Sequence, residues 1–76
     1  MRFTMKQGAG VETPFVRFQY EGADNAEFFA IIATETGVGF TGNSPPLKSI
    51  EDLDTFARTV DLAWKAHMRM KGAPHA

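Results

Sequence analysis

The chain has 76 residues, of which 43% are hydrophobic and 12% aromatic, with no cysteine and a formal net charge of -1. A chain this short buries only about 60% of the surface its unfolded form exposes, so its core is thin; the apolar content excludes disorder, and the near-neutral charge argues against an overall basic nucleic-acid or membrane-surface binder. With disulfides and thiolate metal sites excluded, oligomerisation is the remaining staple for so small a domain.

Arg2 to Lys6 alternate with Phe3 and Met5 on one side, the period of a first strand. This start gives no signal peptide, and no apolar run approaches the ~20 residues of a membrane span. A chain without cysteine suits a reducing compartment, so a cytoplasmic protein that does not enter a membrane is expected. Gln7 to Pro14 breaks the alternation with Gly8, Gly10 and Pro14, a loop or wide hairpin connection. Phe15 to Tyr20 is the second strand, with Val16, Phe18 and Tyr20 on one face and Phe15, Arg17 and Gln19 on the other. Glu21 to Asn25 reads as a turn.

Glu27 to Thr34 is the third strand, and it is apolar on both faces: Phe28, Ala30 and Ile32 alternate with Phe29, Ile31 and Ala33. Short apolar runs are open to a helical reading, but the paired phenylalanines and isoleucines are better strand formers. One helix can cover only one face of a sheet, so a partner is expected over the other. Glu35-Thr36-Gly37 supplies a tight turn, and Val38 to Thr41 a short fourth strand at an edge. Pro45-Pro46 stops that strand.

Ser49 is placed as the cap of a long helix, with Asp52 three residues on as a short capping-box acid and Glu51 beside it favouring the positive dipole end. Lys65, Arg69 and Lys71 occupy the last turns, Gly72 offers the left-handed cap, and Pro74 blocks continuation. Asp54 with Arg58 and Asp61 with Lys65 are acid-before-base pairs worth about 0.3 kcal/mol each. At about 100° per residue, Leu53, Phe56, Ala57, Val60, Trp64, His67 and Met68 make the stripe expected against the sheet. Thr55, Thr59, Leu62, Ala63, Ala66 and Met70 form an adjoining uncharged surface whose small side chains would admit another helix, although alanine and threonine also tolerate plain exposure.

The expected architecture is α+β: a four-stranded antiparallel meander with one C-terminal helix packed on one face, residues 1–72 forming the domain and 73–76 a flexible tail. No catalytic constellation emerges. Gly8-Ala9-Gly10 lacks the helix and lysine of a phosphate loop. Ser44 and Ser49 lack a nucleophile elbow. His67 and His75, eight residues apart, offer no metal-chelating geometry, and His67 reads as a hydrogen-bonded packing residue. No enzyme activity, cofactor or metal is expected. The expected protein interface comprises Phe29 and Ile31 on the sheet and Thr55, Thr59, Leu62, Ala66 and Met70 on the helix, serving a homodimer, a host protein complex, or both. The second possibility is a single-stranded nucleic-acid surface of Arg2, Lys6, Phe15 and Arg17, in which cations meet phosphates and a ring meets bases.

In its order of elements the chain resembles the single-strand-binding transcriptional coactivator fold, a resemblance that implies a nucleic-acid-binding dimer. Thr36 to Leu47, Glu51 to Ala57 and Ala63 to His67 also look like the C-terminal half of small phage and prophage proteins. That resemblance covers about half the chain and implies a mobile-element accessory protein that inhibits a host complex, such as an anti-CRISPR protein.

Overall fold

A computed structural model describes residues 1–9, 14–22 and 28–72. In it the alternating segments pair in chain order as one four-stranded antiparallel sheet: β1 Phe3–Ala9, β2 Pro14–Tyr20, β3 Phe29–Thr34 and β4 Gly37–Gly42. The rest of the fold is α1, Ile50–Gly72, lying over β3 and reaching β2 and β4. This is the α+β meander expected. The centre of the first connection, most of the turn at 23–27 with the expected start of the third strand, and the tail at 73–76 lie outside the described residues.

Strand extents follow partners more than local composition. β1 runs past Lys6 to Ala9 because Gln7, Gly8 and Ala9 pair with Val16, Phe15 and Pro14. Gly8 does not weaken this end, since the Phe15 ring occupies the space where a Gly8 side chain would stand. Thr34 pairs with Gly37 across the turn Glu35-Thr36, where the Thr34 hydroxyl accepts the Thr36 N–H at 3.2 Å. At its far end β4 closes on Gly42, whose φ of 86° suits glycine. A Cβ there would collide with the Phe28 carbonyl, which already accepts the Asn43 N–H at 2.9 Å.

The register puts Phe3 and Met5, then Val16, Phe18 and Tyr20, then Phe29, Ile31 and Ala33, then Val38 and Phe40 on the helix side. Phe18, Phe29, Ile31 and Ala33 are buried there with Ala63 and Ala66 of the helix. Full burial of a side chain the size of Phe29 or Ile31 stabilises by about 1.5–3 kcal/mol. No element covers the opposite face among the described residues. There Ala30 is enclosed, Ile32 is partly buried and Phe28 is half-exposed, so the expected double burial of β3 is confined to its smallest residue.

Ser49 caps α1 as the sequence indicates, its hydroxyl accepting the Asp52 N–H at 3.1 Å. The reciprocal bond differs: the Asp52 carboxylate accepts from Lys48 N–H at 3.2 Å rather than from the cap residue itself. The Met1 amino nitrogen lies 3.4 Å from the same carboxylate. Both expected surface pairs form, Asp54 with Arg58 at 3.0 Å and Asp61 with Lys65 at 2.9 Å.

The helix is turned roughly a quarter turn from the expected orientation. Its buried residues are Thr59, Ala63, Ala66 and His67, whereas Leu53, Ala57, Trp64 and Met68 of the expected sheet-facing stripe are exposed. The reason is volume. The sheet face already carries bulky rings and an isoleucine, and a second bulky row would hold the helix away from it; threonine and alanine allow close packing at native density. The Thr59 hydroxyl, buried by this choice, donates to the Thr55 carbonyl at 2.8 Å and so costs little.

Two outcomes follow from these contacts. Ala63→Leu is expected to overpack the helix–sheet contact and destabilise by about 1–3 kcal/mol, while Met68→Ala on the outer side costs under about 1 kcal/mol; urea unfolding of both variants compares them. The Lys48 N–H, aided by the Met1 amino group and the Lys48 charge, holds the Asp52 carboxyl below its ordinary value of 3.8 against a smaller opposing effect of burial. A lowered folded-state pKa gives stability that is complete above the unfolded value and lost as pH falls through the folded one. Wild type is therefore expected to melt above Asp52→Asn at neutral pH and to converge with it on the acid side of 3.8. A gap independent of pH would rule out a role for the carboxylate charge.

Candidate functional site

Two surfaces remain after the core is assembled. The first is the flank of α1 above β4. Phe56 stacks on Phe29 at 6.1 Å and on Phe40 at 6.4 Å, and the His67 Nδ1 donates to the Thr34 carbonyl at 2.8 Å. A carbonyl can only accept, so Nδ1 carries the hydrogen. These contacts pin one side of the helix over the β3–β4 hairpin. The next residues around the helix therefore project outward along that hairpin: Leu53 is 46% exposed, Trp64 51% and Met68 46%, with Phe40 of β4 beneath them at 58%. Trp64 is held by His67, ring centroids 5.0 Å apart. Rings and long side chains gathered half in water along one strip make an apolar patch of the kind that marks an interaction site.

The second surface is the uncovered sheet face. Lys6 and Arg17 are direct partners across β1 and β2. Like charges placed opposite one another cost a fraction of a kcal/mol. Arg17 lies over the Phe28 ring, its guanidinium carbon 5.0 Å from the centroid, and its buried Nε meets no acceptor among the described residues. Gln19, next along the strand, donates to the Phe29 carbonyl at 3.2 Å. The four strand segments hold Lys6 and Arg17 and no carboxylate. Of the acids in the adjoining connections, Glu21 is exposed at the strand end, and Glu12, Asp24 and Glu27 lie outside the described residues.

The structure separates the expected interface residues. Phe29 and Ile31 face the protomer's own helix and are buried, as are Thr59 and Ala66, with Thr55 and Met70 partly buried beside them. This corrects their assignment: Phe29 and Ile31 lie on the sheet face that α1 covers, and Thr59 and Ala66 turn toward that face for the volume reason given above. Leu62 stays 53% exposed on the opposite flank from Trp64. Lys6, Phe15 and Arg17 do share the uncovered side of β1 and β2, together with Phe28, which the charge pattern had not brought into the set, while Arg2 stands just before β1 with its carbonyl accepting the Glu21 N–H at 2.8 Å. Trp64, Leu53, Met68 and Phe40 were missed because periodicity alone assigns the bulkiest stripe to the core; the bulk of the facing sheet residues was the signal against it. His67 is the hydrogen-bonded packing residue expected.

A shallow hollow of about 370 Å³ runs along the β3–β4 hairpin, lined by Ile32, Thr34, Val38, Gly39 and Phe40 among others. Among the described residues no cluster of three metal-ligating side chains occurs and no helix is long and apolar enough to cross a membrane. Compared with protein-family models, curated proteins and solved structures, the chain gives no significant match.

Proposed function

We propose that this chain is a non-catalytic interaction module that docks on a protein through the outer flank of α1 and the adjoining edge of β4. The observation that carries this reading is the exposure of Trp64, 51%, within one apolar strip shared with Leu53, Met68 and Phe40. A tryptophan left half in water gives up stabilisation of about 1 kcal/mol or more that burial would supply, and such residues dominate binding when a partner desolvates them. The strip is rigidly backed by the Phe29–Phe40–Phe56 stack, so little ordering is required on binding. The resemblance of residues 36–47, 51–57 and 63–67 to small phage proteins, read from the residues alone, is what suggests a host complex as the target.

Cross-linking in a native bacterial lysate, followed by mass determination, tests the surface. Wild type is expected to yield a defined adduct that Trp64→Glu loses and Leu62→Glu retains, with helical circular dichroism unchanged in both. An adduct insensitive to Trp64→Glu would remove the flank as the docking site.

A second reading is favoured by the adjacency of Lys6 and Arg17 beside the Phe28 ring: the uncovered sheet face binds single-stranded nucleic acid through phosphate contacts and stacking. Fluorescence anisotropy with a labelled oligonucleotide is then expected to give an affinity that falls steeply with salt and drops at least about tenfold on Arg17→Glu. No binding at low salt would end this reading.

A further inference from the structure

The outer strip of α1 is complementary to itself. Leu53, Ala57, Trp64 and Met68 are spaced by four, seven and four residues. Reversing the helix about the point between Val60 and Asp61 carries Leu53 onto Met68 and Ala57 onto Trp64. An antiparallel second helix related by a two-fold axis therefore meets the large Trp64 with the small Ala57, and Leu53 with Met68, as an isologous contact requires. The charges agree with that direction. Glu51, Asp52 and Asp54 lie in the first turns and Lys65, Arg69 and Lys71 in the last, so antiparallel helices set acid beside base and oppose their dipoles, whereas parallel helices would do neither.

The strand beneath supplies an independent argument. β4 is an edge with no charge, no proline and an unbroken register against β3 from Phe29–Gly42 to Thr34–Gly37. Edges are ordinarily blunted by lysine, proline or a bulge, and β4 has none of these. The opposite edge, β1, carries Lys6. Joining two β4 edges about an axis normal to the sheet keeps both helices on one side and makes them antiparallel.

The spacing then accounts for the bulk of the strip. With α1 over β3, the two helix axes stand three strand intervals apart, about 14 Å at ~4.8 Å per strand. Helices in direct contact lie about 8–10 Å apart. The excess is the width of side chains, and Leu53, Trp64 and Met68 from both helices, with Phe40 from both strands below, stand in it. At about half exposure and areas on the order of 200 Å² each, these side chains offer roughly 400 Å² of apolar surface per protomer. That is about half of one partner's share in a standard interface of ~800 Å² per side, and the paired strand backbones and charged helix rims lie beside it.

The geometry points to a second copy of this chain as the occupant: a symmetric homodimer joined through β4 and the outer flanks of α1, with one continuous eight-stranded sheet. This assignment names the partner of the flank and rests on the docking reading above.

Light scattering of the full chain at high concentration tests it. The expected mass is twice 8.4 kDa, falling to the single-chain mass in Trp64→Glu and in Gly39→Lys, and unchanged in Leu62→Glu. Gly39 is chosen because a side chain there meets nothing within 4 Å in the protomer. Because the chain has no native cysteine, spin labels on Asp61→Cys and Leu62→Cys test the geometry without touching the strip: the separation within the dimer is expected to be shorter at position 61 than at 62. A single-chain mass for wild type overturns self-pairing, and the lysate cross-linking then decides whether a foreign protein takes the flank. A dimer that survives both Trp64→Glu and Gly39→Lys, or a shorter separation at 62, overturns it equally.

Discussion

The close approach of Thr59, Ala63 and Ala66 to the rings of the sheet is the contact on which the rest of this structure depends. A helix that presents small side chains can sit low on Phe18, Phe29 and Ile31 and enclose them with few of its own atoms. That arrangement uses the limited surface of a short chain well, because the sheet supplies most of the buried volume and the helix mainly excludes water. It also fixes the rotation of α1, and the rotation decides what is left outside. The half-exposed Trp64, Leu53 and Met68 follow from the same packing choice that stabilises the core.

The two faces of the sheet consequently carry different chemistry. On the helix side the register gathers rings and aliphatic groups; on the other side it gathers Lys6, Arg17 and Gln19 around a small apolar floor of Ala30 and Ile32. Arg17 stands opposite Ile32 across β2 and β3 and holds its head over Phe28, the placement of an amphipathic side chain with its stem along an apolar surface. An antiparallel sheet can work with one face in water, and here a cation over a ring makes that tolerable.

Much of this was legible in the residues. Alternation located the strands, Pro45-Pro46 and Ser49 marked the crossing and the helix start, and acid-before-base spacing anticipated both surface ion pairs. The length of β1 was not, because a glycine signal is local whereas the Phe15 ring that compensates for Gly8 arrives from another strand. The rotation of α1 was misjudged for a related reason. Periodicity reports that a helix has an apolar side, but the choice between a bulky and a small stripe depends on the size of the residues opposite, and those belong to distant parts of the chain. The burial of Thr59 and Ala66 follows from that rotation, whereas Phe29 and Ile31 are buried because the helix lies on their face of the sheet, a choice that alternation in a strand apolar on both sides does not make.

The exit of the chain from β4 reaches further than its position suggests. Gly42 lets the backbone pass tight against the Phe28 carbonyl, and Asn43 then fastens to that same oxygen. This latch anchors the peptide that bears the Phe28 ring, and the ring in turn seats the Arg17 guanidinium. The charge pattern of the uncovered face is thus tied mechanically to the entry of the linker that leads into the helix, so a strain at one glycine on the rim would be felt by a cation two strands away.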